Sequence, residues 1–396
     1  MKVAIVHDFL MQMGGAEKVV EVFHEMFPDA PVYTSAYDAA VMPAHYQNWN
    51  IQTTFLQRLP MKRKTHRAAL LLYPTAFESF DLSDFDLVLS SSAWFAKGVI
   101  TQPHTMHICY THTPMRFAWM PTSYVQEERL SMLARSALGP GLHYLRSWDV
   151  QASLRVDKYI ANSRTVSSRI RKFYRRESEV IHPPVETKKF RIYDDIGDYY
   201  IMVTRLAPYK RLELAVEACT RLGVPLKIVG GGRYGEKLKK MAGPTVEFLG
   251  KVPDSQLVDL MARAKAYIMP GVEDFGIAPV EANACGRPVI AFAGGGALDS
   301  QIEGRTAIFF REATAESLMK AIEEMENATF DPQVIRHHAQ KFDTESFRIK
   351  MMDFINRAYN NYLPESSLDR APTLDPAYIY PLPRTHTRNG HSVYTD

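Results

Sequence analysis

Cysteine is scarce: the 396 residues hold three, Cys109, Cys219 and Cys285, in apolar surroundings and with no C-x-x-C pair. Lacking a His-rich partner segment, they exclude both a disulfide framework and a zinc site, and reduced, buried thiols are expected. Long apolar runs are missing too. No stretch of 18 apolar residues occurs, so no membrane-spanning helix is expected, and the opening Met1-Lys2-Val3-Ala4-Ile5-Val6-His7-Asp8 has too few apolar residues for a signal-peptide core. These absences predict a cytoplasmic protein. Excess charge is also lacking: Lys and Arg number 47 against 44 Asp and Glu, a net of +3, which gives no ground for a nucleic-acid partner. Asp84-Phe85-Asp86 has the form of a D-x-D metal motif but leads into a strand with no ligand cluster beside it, so no metal is expected. Gly230-Gly231-Gly232 is not G-x-G-x-x-G and gives no dinucleotide fingerprint.

What is present is ample apolar content, 46%, and a length that suits two or three domains. Short β-branched or apolar runs alternate with helix-length segments: Val3 to His7, Val32 to Ser35, Asp86 to Ser90, His107 to Tyr110 and Lys158 to Ala161 in the first half. The second half continues with Tyr200 to Thr204, Leu226 to Val229, Val246 to Leu249, Ala266 to Met269, Val289 to Phe292 and Ala307 to Phe310. Such alternation predicts βαβ units and parallel sheets, an α/β fold. The polar, Pro-rich stretch from Pro183 to Asp198 separates the series as a linker, giving a first domain over 1–190 and a second over 191–345. A helix follows over 346–363, with Phe347, Met351, Phe354, Ile355, Ala358 and Tyr362 on one stripe. The segment 364–396 reads as an extended or disordered tail.

The basic surplus belongs to residues 1–190, which carry 22 Lys and Arg against 17 Asp and Glu. It gathers in Arg58, Lys62, Arg63, Lys64 and Arg67, and again in Arg164, Arg169, Arg171, Lys172, Arg175 and Arg176. Such segments suit either an anionic membrane surface or an ordinary solvated helix face.

Three stretches carry chemistry. In Met269-Pro270-Gly271-Val272-Glu273-Asp274-Phe275-Gly276-Ile277, a strand ends, a turn presents Glu273, and a helix opens near Gly276 with Glu281 one turn inside. Ligands of parallel folds bind beyond strand carboxyl ends, and helix N-terminal amides attract phosphate; a plain capped helix is the alternative. In Thr204-Arg205-Leu206-Ala207-Pro208-Tyr209-Lys210-Arg211, Arg205 and Lys210 straddle a turn and can neutralise a diphosphate, or stand solvated, with Arg211 on the helix face. In the first domain, Gly14-Gly15 opens a helix opposite the end of the first strand, as a phosphate site or a tight turn. His112, in Thr111-His112-Thr113-Pro114-Met115-Arg116, reaches the same rim, as a ligand contact or a structural histidine.

With these residues the chain resembles the retaining glycosyltransferases of family 4, which have two facing Rossmann-like domains, the GT-B architecture. The E-x7-E pair is Glu273 and Glu281, the Arg/Lys pair Arg205 and Lys210, and the N-terminal glycine loop Gly14 and Gly15. Over residues 1 to 363 it is similar to a bacterial subgroup of GDP-mannose-dependent mannosyltransferases of polysaccharide and O-antigen assembly. The residues carrying this are His7-Asp8 with Gly14-Gly15-Ala16-Glu17-Lys18, Thr113-Pro114-Met115-Arg116 after His112, Trp148-Asp149, Arg155-Val156-Asp157, Ile160-Ala161-Asn162-Ser163 and Val272-Glu273-Asp274-Phe275-Gly276. The resemblance implies a GDP-mannose donor and a glycan or lipid-diphosphate-linked acceptor at the cytoplasmic membrane face, with no further cofactor. It implies that Arg205 and Lys210, with amides near Phe275, Gly276 and Ile277, bind the diphosphate. Glu281 would hold the ribose, Glu273 and His112 the sugar, and Lys251 and Val252 the base. The helix over 346–363 would return to the first domain. Gly230-Gly231-Gly232 departs from the family's Gly-Asp-Gly. A nucleotide-sugar 2-epimerase of the same architecture and a non-catalytic nucleotide-sugar-binding subunit are the alternative functions.

Overall fold

A computed structural model describes residues 1–59, 66–120 and 132–362. The cluster Lys62, Arg63 and Lys64 and the tail from Pro364, both singled out above, lie outside the described residues.

Two parallel sheets form the two domains. The first has seven strands, β1 (Val3–His7), β2 (Val32–Thr34), β3 (Ile51–Thr53), β4 (Leu87–Ser92), β5 (Met106–Thr111), β6 (Lys158–Ala161) and β7 (Glu179–Val180), in the order β3-β2-β1-β4-β5-β6-β7. The second has six, β8 (Tyr200–Val203), β9 (Leu226–Val229), β10 (Val246–Gly250), β11 (Tyr267–Met269), β12 (Val289–Phe292) and β13 (Ala307–Phe310), in the order β10-β9-β8-β11-β12-β13. The expected apolar runs are these strands. They read as continuous runs because helices cover both sheet faces: every residue of β1, β4 and β5 is buried. The edge strands β3 and β7 were not foreseen, being short and half polar, with no run to betray them.

In each sheet the strand order reverses beside the first strand, between β1 and β4 and between β8 and β11. A crevice opens there beyond the strand carboxyl ends. The helix Gly15–Met26 leaves the end of β1 and the helix Ile277–Ala284 leaves the end of β11. The two helix starts meet across the cleft: a Cβ on Gly15 would stand 2.7 Å from Ile277 Cδ1, so the first domain's glycine is what lets the rims close.

The expected returning helix spans Thr344–Asn360, capped by the Asp343 carboxylate, which accepts from Glu345 N at 3.0 Å. Its apolar stripe, Phe347, Met351, Phe354, Ile355 and Ala358, joins the first domain's core with Ile5, Phe23 and Ile108. Tyr362 OH donates to the Pro103 carbonyl at 2.9 Å. The chain thus crosses between domains twice, and the crossings are tied together: Val185 N donates to Phe342 O at 2.9 Å and Thr344 N to Val185 O at 3.2 Å.

Candidate active site

The cleft holds a cavity of about 310 Å³, lined from the first domain by Gly15, His112, Arg116 and Asn162 among others, and from the second by Tyr209, Lys210 and the loop from Glu273 to Ala278. Lys210 Nζ donates to Glu273 Oε1 at 2.8 Å, the two side chains 15% and 23% exposed. These residues are 63 positions apart, yet each ends a turn after neighbouring strands β8 and β11, which is how the topology joins them.

Tyr209 organises the cations. Lys210 Nζ and the Arg205 guanidinium both lie 6.0 Å from its ring centre, and the Arg116 guanidinium lies 5.7 Å away. Arg205 differs from expectation: it is exposed, outside the cavity lining, and donates to Tyr209 OH at 3.0 Å. With Tyr209 in the cavity lining and Arg205 outside it, Arg205 stands behind the Tyr209 ring. Arg211 is not on the helix face. It adopts a left-handed conformation, φ 51°, ahead of the helix Leu212–Leu222.

Phe275, Gly276 and Ile277 line the cavity. Their loop is backed by Gly294-Gly295-Gly296, a run that sequence reasoning passed over. Gly296 N donates to Glu273 O at 2.9 Å, and a Cβ at Gly296 would stand 2.1 Å from Phe275 Cα, so only glycine permits the approach. Gly230-Gly231-Gly232, in contrast, leans on its neighbour rather than on the cleft: Leu206 N donates to Gly231 O at 3.0 Å. Lys251 and Val252 leave the end of β10, at the edge of the second sheet, outside the cavity lining. Val252 is half-buried and packs against the second domain's core.

The domains are joined by ion pairs that sequence reasoning did not find. Glu281, 12% exposed, accepts from Lys18 Nζ at 3.1 Å across the cleft. Burial opposes the Lys18 charge, but the bond and charge of Glu281, with Glu186 nearby, outweigh it and raise its pKa. Asp274 accepts from both Arg116 and Arg169, and Arg164 donates to Asp299 at 2.8 Å. Cations come from the first domain and carboxylates from the second, which is where the first domain's basic surplus is partly spent. Arg164 and Arg169, read as part of a surface run, face the second domain. The available signal was the opposite net charge of the two halves.

Behind the cleft floor, Asp8 at the end of β1 accepts four backbone N–H groups, from Ala93, Trp94, Phe95 and Ala96 at 2.6–2.9 Å. This fixes the loop after β4. His112 Nε2 contacts Ser91 Oγ at 2.8 Å, and His107 Nε2 contacts Ser90 Oγ at 2.7 Å. Burial, helped by the His7 charge for His112 and by the Arg155 charge for His107, lowers each pKa to about 3. Both imidazoles are therefore neutral, and acid should destabilise the fold. Below pH 6.5 the unfolded chain binds protons that the folded chain refuses, so stability is lost as pH falls from 6.5 toward 3. Each group contributes about 1.4 kcal/mol per pH unit. Urea unfolding at pH 6 and pH 5 should show this loss, and His107→Gln should make it smaller; a loss unchanged in His107→Gln would refute the contribution of His107.

Among the described residues no group of three His, Cys, Asp or Glu side chains could hold a metal ion, and no helix is long and apolar enough to cross a membrane. Cys109, Cys219 and Cys285 are free and buried.

Two facing parallel-sheet domains with a cleft between their strand ends define the GT-B glycosyltransferase architecture. Residues 13–189 match the model "Glycosyltransferase Family 4" and residues 187–342 match "Glycosyl transferases group 1". The chain belongs to these glycosyltransferase families. It is similar to the GDP-mannose-dependent alpha-(1-6)-phosphatidylinositol monomannoside mannosyltransferase of Mycolicibacterium smegmatis, 31% identical over 36% of this chain and 46% of that one. It also resembles the GDP-mannose-dependent monoacylated alpha-(1-6)-phosphatidylinositol monomannoside mannosyltransferase of Corynebacterium glutamicum, 36% identical over 24% of this chain and 29% of that one. The matches thus span less than half the length of these two relatives. Anabaena HepE, solved in complex with UDP, shares the fold with a TM-score of 0.65 at 16% identity, over 90% of this chain and 100% of that one.

Proposed function

We propose that the chain transfers a mannosyl unit from GDP-mannose, with retention at the anomeric carbon, to a hydroxyl of a lipid-linked or oligosaccharide acceptor in cell-surface polysaccharide synthesis. The observation that carries this reading is the Lys210–Glu273 pair, 2.8 Å apart in the cleft among the cations around Tyr209. A ligand with a diphosphate beside sugar hydroxyls satisfies both members at once: Lys210 takes the phosphate and Glu273 the hydroxyls. The donor assignment is supported by the two bacterial relatives, whose names specify GDP-mannose. Their names specify phosphatidylinositol monomannoside, a glycolipid, which favours a lipid-linked acceptor met at the cytoplasmic membrane face.

In this mechanism Lys210, backed by Arg205, stabilises charge developing on the departing diphosphate, with the amides at Gly276 and Ile277 and the start of their helix adding to it. Glu281 exchanges Lys18 for the ribose hydroxyls, and Lys251 and Val252 contact the base when it binds. Gly14 and Gly15, at the helix start facing this loop, receive a phosphate or the acceptor group. The acceptor attacks from the face the phosphate leaves, and a phosphate oxygen takes its proton. No carboxylate nucleophile is assigned, because Glu273 is paired with Lys210 and Asp274 with two arginines. Neither a metal nor a further cofactor enters the scheme.

The test is the thermal stability of the full chain with saturating GDP, UDP or ADP, in EDTA. A nucleotide at 100 times its Kd adds about 2.7 kcal/mol. GDP alone should raise Tm; preference for UDP or ADP would discard the donor, and no shift with any nucleotide would discard the nucleotide-sugar site.

A further inference from the structure

Beneath the cleft lies a buried polar chain that the scheme above does not use. His7 ends β1, Ser91 is its direct partner in β4, and His112 follows β5, so three neighbouring strands present them side by side. Glu17 enters from the first turn of the helix Gly15–Met26. His7, Glu17 and Ser91 are 2%, 3% and 0% exposed, which makes this an unusual investment of polar groups in a sheet centre.

The hydrogens in this chain can be counted. His7 Nδ1 lies 3.1 Å from the Ser91 carbonyl oxygen and 3.2 Å from Ser91 Oγ. A carbonyl oxygen only accepts, so His7 Nδ1 carries the hydrogen and donates. Among the described residues Ser91 Oγ has one other partner, His112 Nε2 at 2.8 Å. With His7 donating, the serine's own hydrogen goes to that nitrogen. His112 Nε2 is then an acceptor, and the hydrogen of the neutral ring sits on Nδ1, which has no partner among the described residues while the ring lines the cavity. At the far end, His7 Nε2 lies 3.7 Å from Glu17 Oε1. Burial works against protonation of His7, but the neighbouring Glu17 carboxylate and the Asp8 charge outweigh it and raise its pKa. The Glu17 carboxylate thereby keeps the His7 ring oriented with Nδ1 toward Ser91.

We propose that Ser91, held by His7 and through it by Glu17, is a positioning residue that fixes His112 as its Nδ1–H tautomer, so that the ring donates a hydrogen bond into the cleft. The recipient would be an oxygen of the transferred sugar, which rests on the glycosyltransferase reading above. The tautomer itself does not. Neutral histidine in water favours the other tautomer, so the serine works against the ring's own preference. The second nitrogen's partner decides which nitrogen carries the hydrogen.

The full chain, labelled with ¹⁵N-histidine and with His112 assigned through His112→Gln, tests this by multiple-bond NMR. Wild type should carry the His112 hydrogen on Nδ1, Ser91→Ala should move it largely to Nε2, and Ser91→Thr should keep it on Nδ1. A wild-type hydrogen on Nε2, or no change in Ser91→Ala, overturns the proposal, and the wild-type measurement decides even if the variant fails to fold. With GDP-mannose, Ser91→Ala should lower kcat about ten- to a hundredfold, a wrong-tautomer effect milder than removal of a triad carboxylate. GDP affinity should change less than about twofold, because Ser91 acts only through His112, and Ser91→Thr should restore turnover. Equal kcat in Ser91→Ala overturns the proposed role. If the wild type turns over no nucleotide sugar, the transferase reading fails, while the tautomer result still decides the relay.

Discussion

Lys210→Ala is expected to lower kcat for sugar transfer by about 10²–10³, the loss found when one donor to a developing oxyanion is removed. The size follows from position. Lys210 is the second domain's cation within the cavity lining, held by Glu273 at 2.8 Å and only 15% exposed, so its charge acts in a medium less screening than water. Arg205, on the outer side of Tyr209, cannot replace it and should cost less when removed. The fold should survive, because a partly exposed ion pair contributes on the order of 1 kcal/mol or less; Tm should change by only a few degrees. Steady-state rates for Lys210→Ala and Arg205→Ala, measured beside GDP affinity, check the order. If Lys210→Ala kept wild-type kcat, the phosphate would have to be placed elsewhere.

The second large effect is on stability. Asp149, fully buried in the helix Met132–Leu154, accepts from the Lys97 ammonium, from Trp119 Nε1 at 2.7 Å and from Tyr174 OH at 2.8 Å. Lys97 is itself 2% exposed and donates to the Trp94 carbonyl at 3.0 Å. Asp149→Ala strands that ammonium in the core together with the buried Tyr174 hydroxyl and the half-buried Trp119 donor, and should cost about 3–5 kcal/mol. For a domain of this size that is a fall in Tm of roughly 10 °C. The pair replaced together by apolar residues, Lys97→Met with Asp149→Leu, should regain much of the loss, since desolvation no longer has to be compensated. A single variant as stable as the wild type would mean that water reaches the pair. The effect bears on the cleft, because Trp119 ends the short helix that begins with Arg116, one of the two arginines on Asp274.

Several features could be read along the chain because they depend on neighbours in sequence. Apolar runs such as Val3–His7 and Val289–Phe292 are strands buried on both faces, and the stripe from Phe347 to Ala358 is a helix with one buried side. Glu273, Lys210, His112 and Gly15 fall at strand ends, and in a parallel fold strand ends are where ligands bind. What could not be read is which strand ends meet. Strand order places β1 beside β4 and β8 beside β11, and this joins Lys210 to Glu273 and His7 to Ser91 and His112. Domain placement joins Lys18 to Glu281 and two arginines to Asp274. Periodicity and turn chemistry repeat over a few residues, whereas these pairings span tens to hundreds. Sequence by itself therefore determined most of the elements, the alternation that builds two parallel sheets and part of the cavity lining, Lys210, Glu273 and His112 among it. Tertiary structure decided that Arg205 stands behind Tyr209 and that first-domain cations close on second-domain carboxylates, because a side chain's partner is set by packing across the cleft rather than by position in the chain.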